Sequence, residues 1–105
     1  MQPENIFKSI PGDLSNEVFD LLAQSSTVKI ERIISRGHSS PETGWFDQGK
    51  NEWIILMKGE AIICFEDMKE INLKTGDYIN IPAHEKHKVK WTAPGTETVW
   101  LAIFY

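Results

Sequence analysis

The stretch that decides the fold is GDYINIPAHEKH, residues Gly76–His87, in which a glycine turn, a short alternating strand, a proline and a histidine follow one another. A second stretch, EWIILMKG (Glu52–Gly59), begins with a carboxylate and continues as a strand that is apolar on both faces. A carboxylate buried without a partner is unstable, so Glu52 needs a metal, a cation or hydrogen-bond donors nearby. A carboxylate and an imidazole on two strands of a small β-barrel point into its mouth, so these stretches predict a ligand-binding barrel.

Short strand-like runs fill most of the remaining chain. They are rich in β-branched and aromatic residues and are separated by close turns, most of which contain Gly, Pro or Asp. We place strands near residues 28–36, 44–48, 52–58, 60–66, 69–73, 78–82, 86–92 and 97–104. Many short strands joined by close turns predict an all-β sandwich or barrel.

The N-terminal part has a different pattern. Leu14, Val18, Leu21 and Leu22 fall on one face of a helix, for which Asp13 or Ser15 could serve as the N-cap. We therefore expect residues 1–27 to form an irregular lead with one short α-helix, and residues 28–105 to form the β-barrel. The two parts form one domain, because 105 residues are enough for a single core.

The strand that follows the proline has a clear alternation. His87, Val89 and Trp91 share one face, and three lysines at 86, 88 and 90 share the other. Because the lysine row must face solvent, we expect the His87 side chain to point into the barrel.

The two stretches resemble the two motifs of the cupin family, Gly-x5-His-x-His-x3-4-Glu-x6-Gly and Gly-x5-Pro-x-Gly-x2-His-x3-Asn. Glu52 and Gly59 match the end of the first motif, and Gly76, Pro82 and His87 match the second. The resemblance covers residues 28–104 and implies a jelly-roll β-barrel. It also implies a homodimer, since small cupins of this kind pair through their sheets.

The chain departs from the family pattern at the positions that normally bind metal. Trp45-Phe46-Asp47-Gln48 stands where the paired histidines should be, His84 replaces the glycine of the second motif, and Trp91 replaces its asparagine. By the resemblance, one divalent ion (Zn, Mn, Fe or Ni) would be held by Glu52 and His87, with help from Asp47, Gln48 or His84.

Each candidate ligand also has a structural interpretation. His87 could be a core histidine satisfied by the backbone, and Glu52 could be the partner of Arg32 or of a lysine. His84 could be a turn residue, because histidine is among the residues enriched at left-handed backbone angles.

Two functions of different classes follow, beside a third interpretation as a purely structural or protein-binding domain, for which the two-sided apolar strand Trp53–Met57 would supply an interface. The first is a metal-dependent enzyme of the oxygenase, isomerase or lyase type. The second is a metal-free barrel that binds a small molecule without catalysis, as a sensor or carrier. In both, we expect the ligand to contact the side chains of Trp45, Phe46, Ile54, Leu56, Val89 and Trp91.

Composition excludes several other classes. The formal net charge is −4 and the basic residues form no stripe, so nucleic acid is not an expected partner. No apolar run approaches the roughly 20 residues of a membrane span, and no signal peptide is recognisable at the start, so we expect no membrane partner and a cytoplasmic location. The single cysteine, Cys64, lies within an apolar strand and is expected to be a core thiol.

Overall fold

The computed structural model describes all 105 residues, and its regular structure consists of eight β-strands. They are β1 (Val18–Gln24), β2 (Lys29–Ser35), β3 (Glu52–Lys58), β4 (Glu60–Phe65), β5 (Glu70–Lys74), β6 (Tyr78–Ile81), β7 (His87–Thr92) and β8 (Thr98–Phe104). None of its elements is a helix long and apolar enough to cross a membrane.

The strands form two antiparallel sheets. The larger sheet has the order β1-β2-β8-β3-β6, and the smaller has the order β5-β4-β7. Four of the neighbouring pairs, β2-β8, β8-β3, β3-β6 and β4-β7, join strands that are not consecutive in the chain. Such connections are typical of a jelly roll, and the predicted all-β barrel is confirmed. The strand expected at residues 44–48 is reduced to one bridge, between Phe46 and His87.

The predicted N-terminal helix is wrong. Residues 18–24 form β1, whose register with β2 runs from Val18 opposite Ile34 to Gln24 opposite Lys29. A helix this short is poorly stable by itself because its first turn is costly to form, whereas β2 offers a full row of backbone partners. Pairing with β2 therefore outweighs the helical spacing of the leucines.

The core lies between the two sheets. Its buried cluster consists of Ile54, Leu56, Ala61, Ile63, Leu73, Trp100 and Ala102. Along β3 the inward positions, occupied by Glu52, Ile54 and Leu56, are buried, and the alternate positions are only half-buried. Glu52 thus shares a face with the core, as the alternation of the sequence predicts.

Arg32 fixes the N-terminal lead against the larger sheet. Its guanidinium donates hydrogen bonds to the backbone carbonyls of Ile6, Lys8 and Ser9, and it forms a 2.6 Å ion pair with Asp20 of β1. Arg32 is buried, so these bonds satisfy a charge that would otherwise destabilise the fold. They also show that Arg32 is not the partner of Glu52.

Candidate functional site

Glu52 and His87 meet between the two sheets. Glu52 is the first residue of β3 in the larger sheet, and His87 is the first residue of β7 in the smaller one. Their side chains are only 10% and 7% exposed, and His87 Nε2 lies 3.3 Å from Glu52 Oε1. The fold therefore brings together the two residues on which the sequence interpretation chiefly rests.

The second ring nitrogen fixes the orientation of the imidazole. His87 Nδ1 lies 2.8 Å from the carbonyl oxygen of Glu85. A carbonyl only accepts hydrogen bonds, so Nδ1 carries the proton and donates it. Nε2 is consequently the atom that faces Glu52 and the space beside it.

The pKa of His87 is raised above its ordinary value. Burial by itself lowers this pKa, but the hydrogen bond to Glu52, the hydrogen bond to the Glu85 carbonyl and the charge of Glu52 together outweigh it. When the imidazole is protonated it donates from both nitrogens and forms a buried ion pair with Glu52, which places a transferable proton beside the cavity.

The loop of residues 36–51, between β2 and β3, completes this cluster. Gln48 Nε2 donates a 2.9 Å hydrogen bond to Glu52 Oε1. Phe46 exchanges backbone hydrogen bonds of 2.8 and 3.2 Å with His87, and the two rings are 5.9 Å apart. The loop thus covers the Glu52–His87 pair and is fixed to β7 by the Phe46 bridge.

Asp47 and His84 lie elsewhere. The two side chains bond to each other, with His84 Nδ1 2.8 Å from Asp47 Oδ1. The His84 side chain is 72% exposed and the Asp47 side chain is 40% exposed. His84 has a φ of 63°, so it occupies the left-handed conformation for which the family uses glycine. This geometry supports the interpretation of His84 as a turn residue. Neither Asp47 nor His84 lines the cavity that opens beside Glu52 and His87.

A cavity of about 130 Å³ opens beside the pair. Of the expected ligand contacts, Phe46, Ile54 and Val89 line it, whereas Leu56 is fully buried in the core. Nine further lining residues were not anticipated: Glu17, Phe19, Glu31, Ile33, Ser40, Ile63, Ile81, Trp100 and Phe104. The alternation of side chains along β2 could have identified Glu31 and Ile33, which lie on one face of that strand. Phe19 could not be placed on a strand face because β1 was interpreted as a helix.

Trp45 and Trp91 do not line the cavity. The pairing of β4 with β7 shifts register between Ile62 and Ile63, so that Val89 and Trp91 face consecutive residues of β4. This bulge reverses the alternation, leaves Trp91 37% exposed and turns Thr92 inward. Trp45 lies in the 36–51 loop, with Lys88 Nζ 4.5 Å from the centre of its ring.

The side chains present do not fit a resident metal ion. Catalytic sites for ions such as zinc supply three protein ligands and structural sites four. The structure contains no group of three or more His, Cys, Asp or Glu side chains placed to hold one. Glu52 and His87 are two suitable donors, and Gln48 adds only an amide.

Comparison with known proteins supports the fold and the family. A family model described as a cupin domain matches residues 33–104. A "putative mannose-6-phosphate isomerase" from Ralstonia eutropha JMP134 is 38% identical, with a TM-score of 0.93 over 99% of this chain and 97% of its own. A cupin superfamily protein from Desulfitobacterium hafniense DCB-2 is 25% identical, with a TM-score of 0.74 over 90% of this chain and 82% of that chain.

A third structure agrees in fold. An RmlC-like cupin protein from Desulfovibrio desulfuricans is 20% identical, with a TM-score of 0.76 over 99% of this chain and 96% of its own. Among curated proteins, none matches the chain. The motif residues, the two-sheet barrel and the matching family model agree with one another, and the chain belongs to the cupin domain family.

Proposed function

We propose that this cupin binds a small organic molecule in the cavity beside Glu52 and His87, without a resident metal. The observation that carries the proposal is the buried pair, 3.3 Å apart, at the wall of a mainly apolar cavity. Ligand sites of proteins combine an apolar lining with a few convergent polar groups that fix orientation. Glu52 and His87 supply an acceptor and a donor of that kind.

The volume of the cavity limits the ligand. About 130 Å³ is well below the roughly 300–1,000 Å³ of a pocket for a drug-sized molecule. The ligand is therefore a molecule, or one end of a molecule, with only a few heavy atoms. Phe19 and Phe46, each more than half exposed, stand at the edge of the cavity and would contact the rest of a longer ligand.

The pair is also suited to proton transfer. His87 Nε2 faces both Glu52 and the cavity, and the raised pKa of His87 keeps the imidazole protonated to a higher pH than an ordinary histidine. An acid and a base within hydrogen-bond reach of one molecule are what an isomerisation by proton transfer needs. The name of the Ralstonia relative, which is that of an isomerase, is consistent with such a reaction.

Titration of small probe molecules tests the proposal. We would follow the amide signals of the protein by NMR while adding neutral, anionic and cationic probes of three to six heavy atoms. Probes that enter the cavity shift the signals of His87, and the near-isosteric changes Glu52→Gln and His87→Gln weaken their binding. Asp47→Asn is the matched control because its carboxylate lies outside the cavity. Binding that is insensitive to both cavity variants would place the ligand elsewhere.

A second candidate function is binding or catalysis that depends on a metal ion at Glu52 and His87. It stays a prediction from the family resemblance. One observation favours it: His87 Nδ1 donates to a backbone carbonyl, as the non-ligating nitrogen of a metal-bound histidine usually does. The shortage of further ligands opposes it. Elemental analysis decides between the two candidates.

We also propose that the chain forms a homodimer, as the resemblance implies. Strand β1 is the outer strand of the larger sheet, and its backbone edge has no partner beyond β2. Phe19, Leu21 and Leu22 are 57%, 51% and 46% exposed there. An apolar strand at an open edge favours pairing with another chain, and a second copy is the partner proposed.

A further inference from the structure

We infer that the ligand of the cavity is a small protonated amine rather than a phosphorylated or otherwise anionic molecule. The inference rests on the proposed function, since it names the chemical class that the same cavity would take. It follows from the charges, the free hydrogen-bond acceptors and the aromatic rings of the lining.

The lining is rich in negative charge. Three carboxylates belong to it, those of Glu17, Glu31 and Glu52, and no lysine or arginine does. His87 is the only lining group that can carry a positive charge. Lys29 stands just outside, with its Nζ 3.8 Å from Glu31 Oε1 and 4.8 Å from the centre of the Phe104 ring. Even with His87 and Lys29 both protonated, the carboxylates outnumber the cations.

Each carboxylate uses one oxygen within the protein and leaves the other free. Glu17 Oε2 accepts a hydrogen bond from the Ser35 hydroxyl, Glu52 Oε1 accepts from Gln48, and Glu31 Oε1 faces Lys29. The second oxygen of each carboxylate has no hydrogen-bond partner in the protein. These three oxygens remain accessible to solvent, because the only side-chain polar atom that is both buried and without a hydrogen bond is Thr98 Oγ1. The cavity therefore offers three charged acceptors to N–H donors of a ligand.

Four aromatic side chains also line the cavity. They are those of Phe19, Phe46, Trp100 and Phe104. The faces of aromatic rings attract cations, and this attraction grows when the cation is removed from water. Aromatic rings beside carboxylates thus favour an ammonium group over a neutral group of equal size.

The same features disfavour an anion. A phosphate group would be repelled by three carboxylates and would find one charged donor, His87. For this reason a sugar phosphate, the kind of substrate in the name of the Ralstonia relative, does not suit this cavity. A divalent metal is not favoured either, because no three of these charged groups are close enough to hold one ion. An organic cation can instead span separated carboxylates with several N–H donors.

A set of probes matched in size tests the inference. n-Propylammonium, n-propanol and propionate have similar shapes and differ in charge, and inorganic phosphate represents phosphorylated molecules. Each is titrated at constant pH and ionic strength, and the Trp100 indole N–H signal is followed. This N–H donates to Ser35, whose hydroxyl in turn bonds to Glu17, so it reports on the lining. For four heavy atoms we expect a dissociation constant on the order of millimolar.

Carboxylate variants locate the binding. Glu17→Gln and Glu31→Gln keep the size of the side chain and remove its charge, and each should weaken n-propylammonium binding by about tenfold, the equivalent of one charge-assisted hydrogen bond. The control is Glu66→Gln, because Glu66 is exposed in the turn after β4 and does not line the cavity. It should leave the dissociation constant unchanged within about twofold.

The outcomes separate this inference from the proposed function. Binding of n-propylammonium that depends on Glu17 and Glu31 supports both. Binding of propanol, propionate or phosphate in preference to the amine, with shifts at His87 and Trp100, overturns the inference and leaves the proposed function intact. If no probe shifts these signals, both are wrong.

Discussion

The change Gly59→Ala should destabilise the protein more than any change of the same kind at another turn glycine. Gly59 joins β3 to β4 with a φ of 100°, and an added Cβ would lie 2.5 Å from Thr98 Oγ1 and 2.8 Å from Thr98 Cα. Thr98 is fully buried at the start of β8 and is paired with Ser35 of β2. Because the Cα atom belongs to the backbone of a central strand, it cannot move without disturbing the larger sheet.

Two terms contribute to the loss of stability. A residue with a Cβ in a positive-φ conformation costs about 1–2 kcal/mol. Overpacking against a buried strand adds about 1–3 kcal/mol. We therefore expect Gly59→Ala to lower the free energy of unfolding by about 2–5 kcal/mol.

Gly76→Ala is the matched control. Gly76 has a φ of 92°, and an added Cβ there would have nothing within 4 Å. In Gly76→Ala only the conformational cost of the positive φ applies. The free energies of unfolding of the two variants should therefore differ by about 1–3 kcal/mol, which corresponds to at least about 4 °C in Tm.

Urea unfolding measures both variants, with an unchanged m-value as the sign that only stability has changed. In the background of Thr98→Ala the contact with Oγ1 is absent and the contact with Cα persists, so only part of the loss should be recovered. Equal losses for Gly59→Ala and Gly76→Ala would show that the contact with β8 is not what requires glycine.

Four further predictions concern charge, metal content and assembly. Because the pKa of His87 is raised, the contribution of His87 to stability is complete below its ordinary pKa of about 6.5 and is lost as the pH rises through the raised value. Urea unfolding across this range should show that loss in the wild type and not in His87→Gln, which keeps the other two histidines. Arg32→Met should lower the free energy of unfolding by about 3 kcal/mol and expose the lead to trypsin after Lys8, whereas Arg36→Met, which removes an exposed ion pair, should do neither. Protein purified without a metal-binding tag should contain less than stoichiometric Zn, Mn, Fe and Ni by elemental analysis; a stoichiometric metal that is absent from His87→Gln would overturn the metal-free proposal. Sedimentation should detect a dimer that Leu21→Glu converts to a monomer, and a wild-type monomer at all concentrations would contradict the proposed pairing through β1.

The strands of the barrel were predictable wherever their alternation continued without interruption. Seven of the eight observed strands correspond to expected ones, because each has apolar residues on the face that the core covers. The exception, β1, carries a leucine spacing that fits a helix equally well. Only pairing with the open edge of β2, which the leucine spacing by itself does not reveal, selects the strand.

The candidate site was predictable in its centre and not at its edges. Glu52 and His87 could be identified because a charged or polar residue on an inward face needs a partner. Trp91 was expected beside them, but the bulge in β7 turns it outward. Glu17 was missed because nothing local distinguishes it from a solvent-facing carboxylate, whereas the alternation of β2 places Glu31 on the same face as Ile33.

The sequence by itself determined the class of the fold, the inward faces of the central strands and the positions where glycine is required. These depend on the alternation of side chains along a strand and on the conformational freedom of glycine, both of which are local. The tertiary structure decided which inward residues share a cavity and which candidate ligands are kept apart, such as Asp47 and His84. Those relations depend on strand pairing between distant parts of the chain, where a bulge of one residue reverses the direction of every side chain that follows.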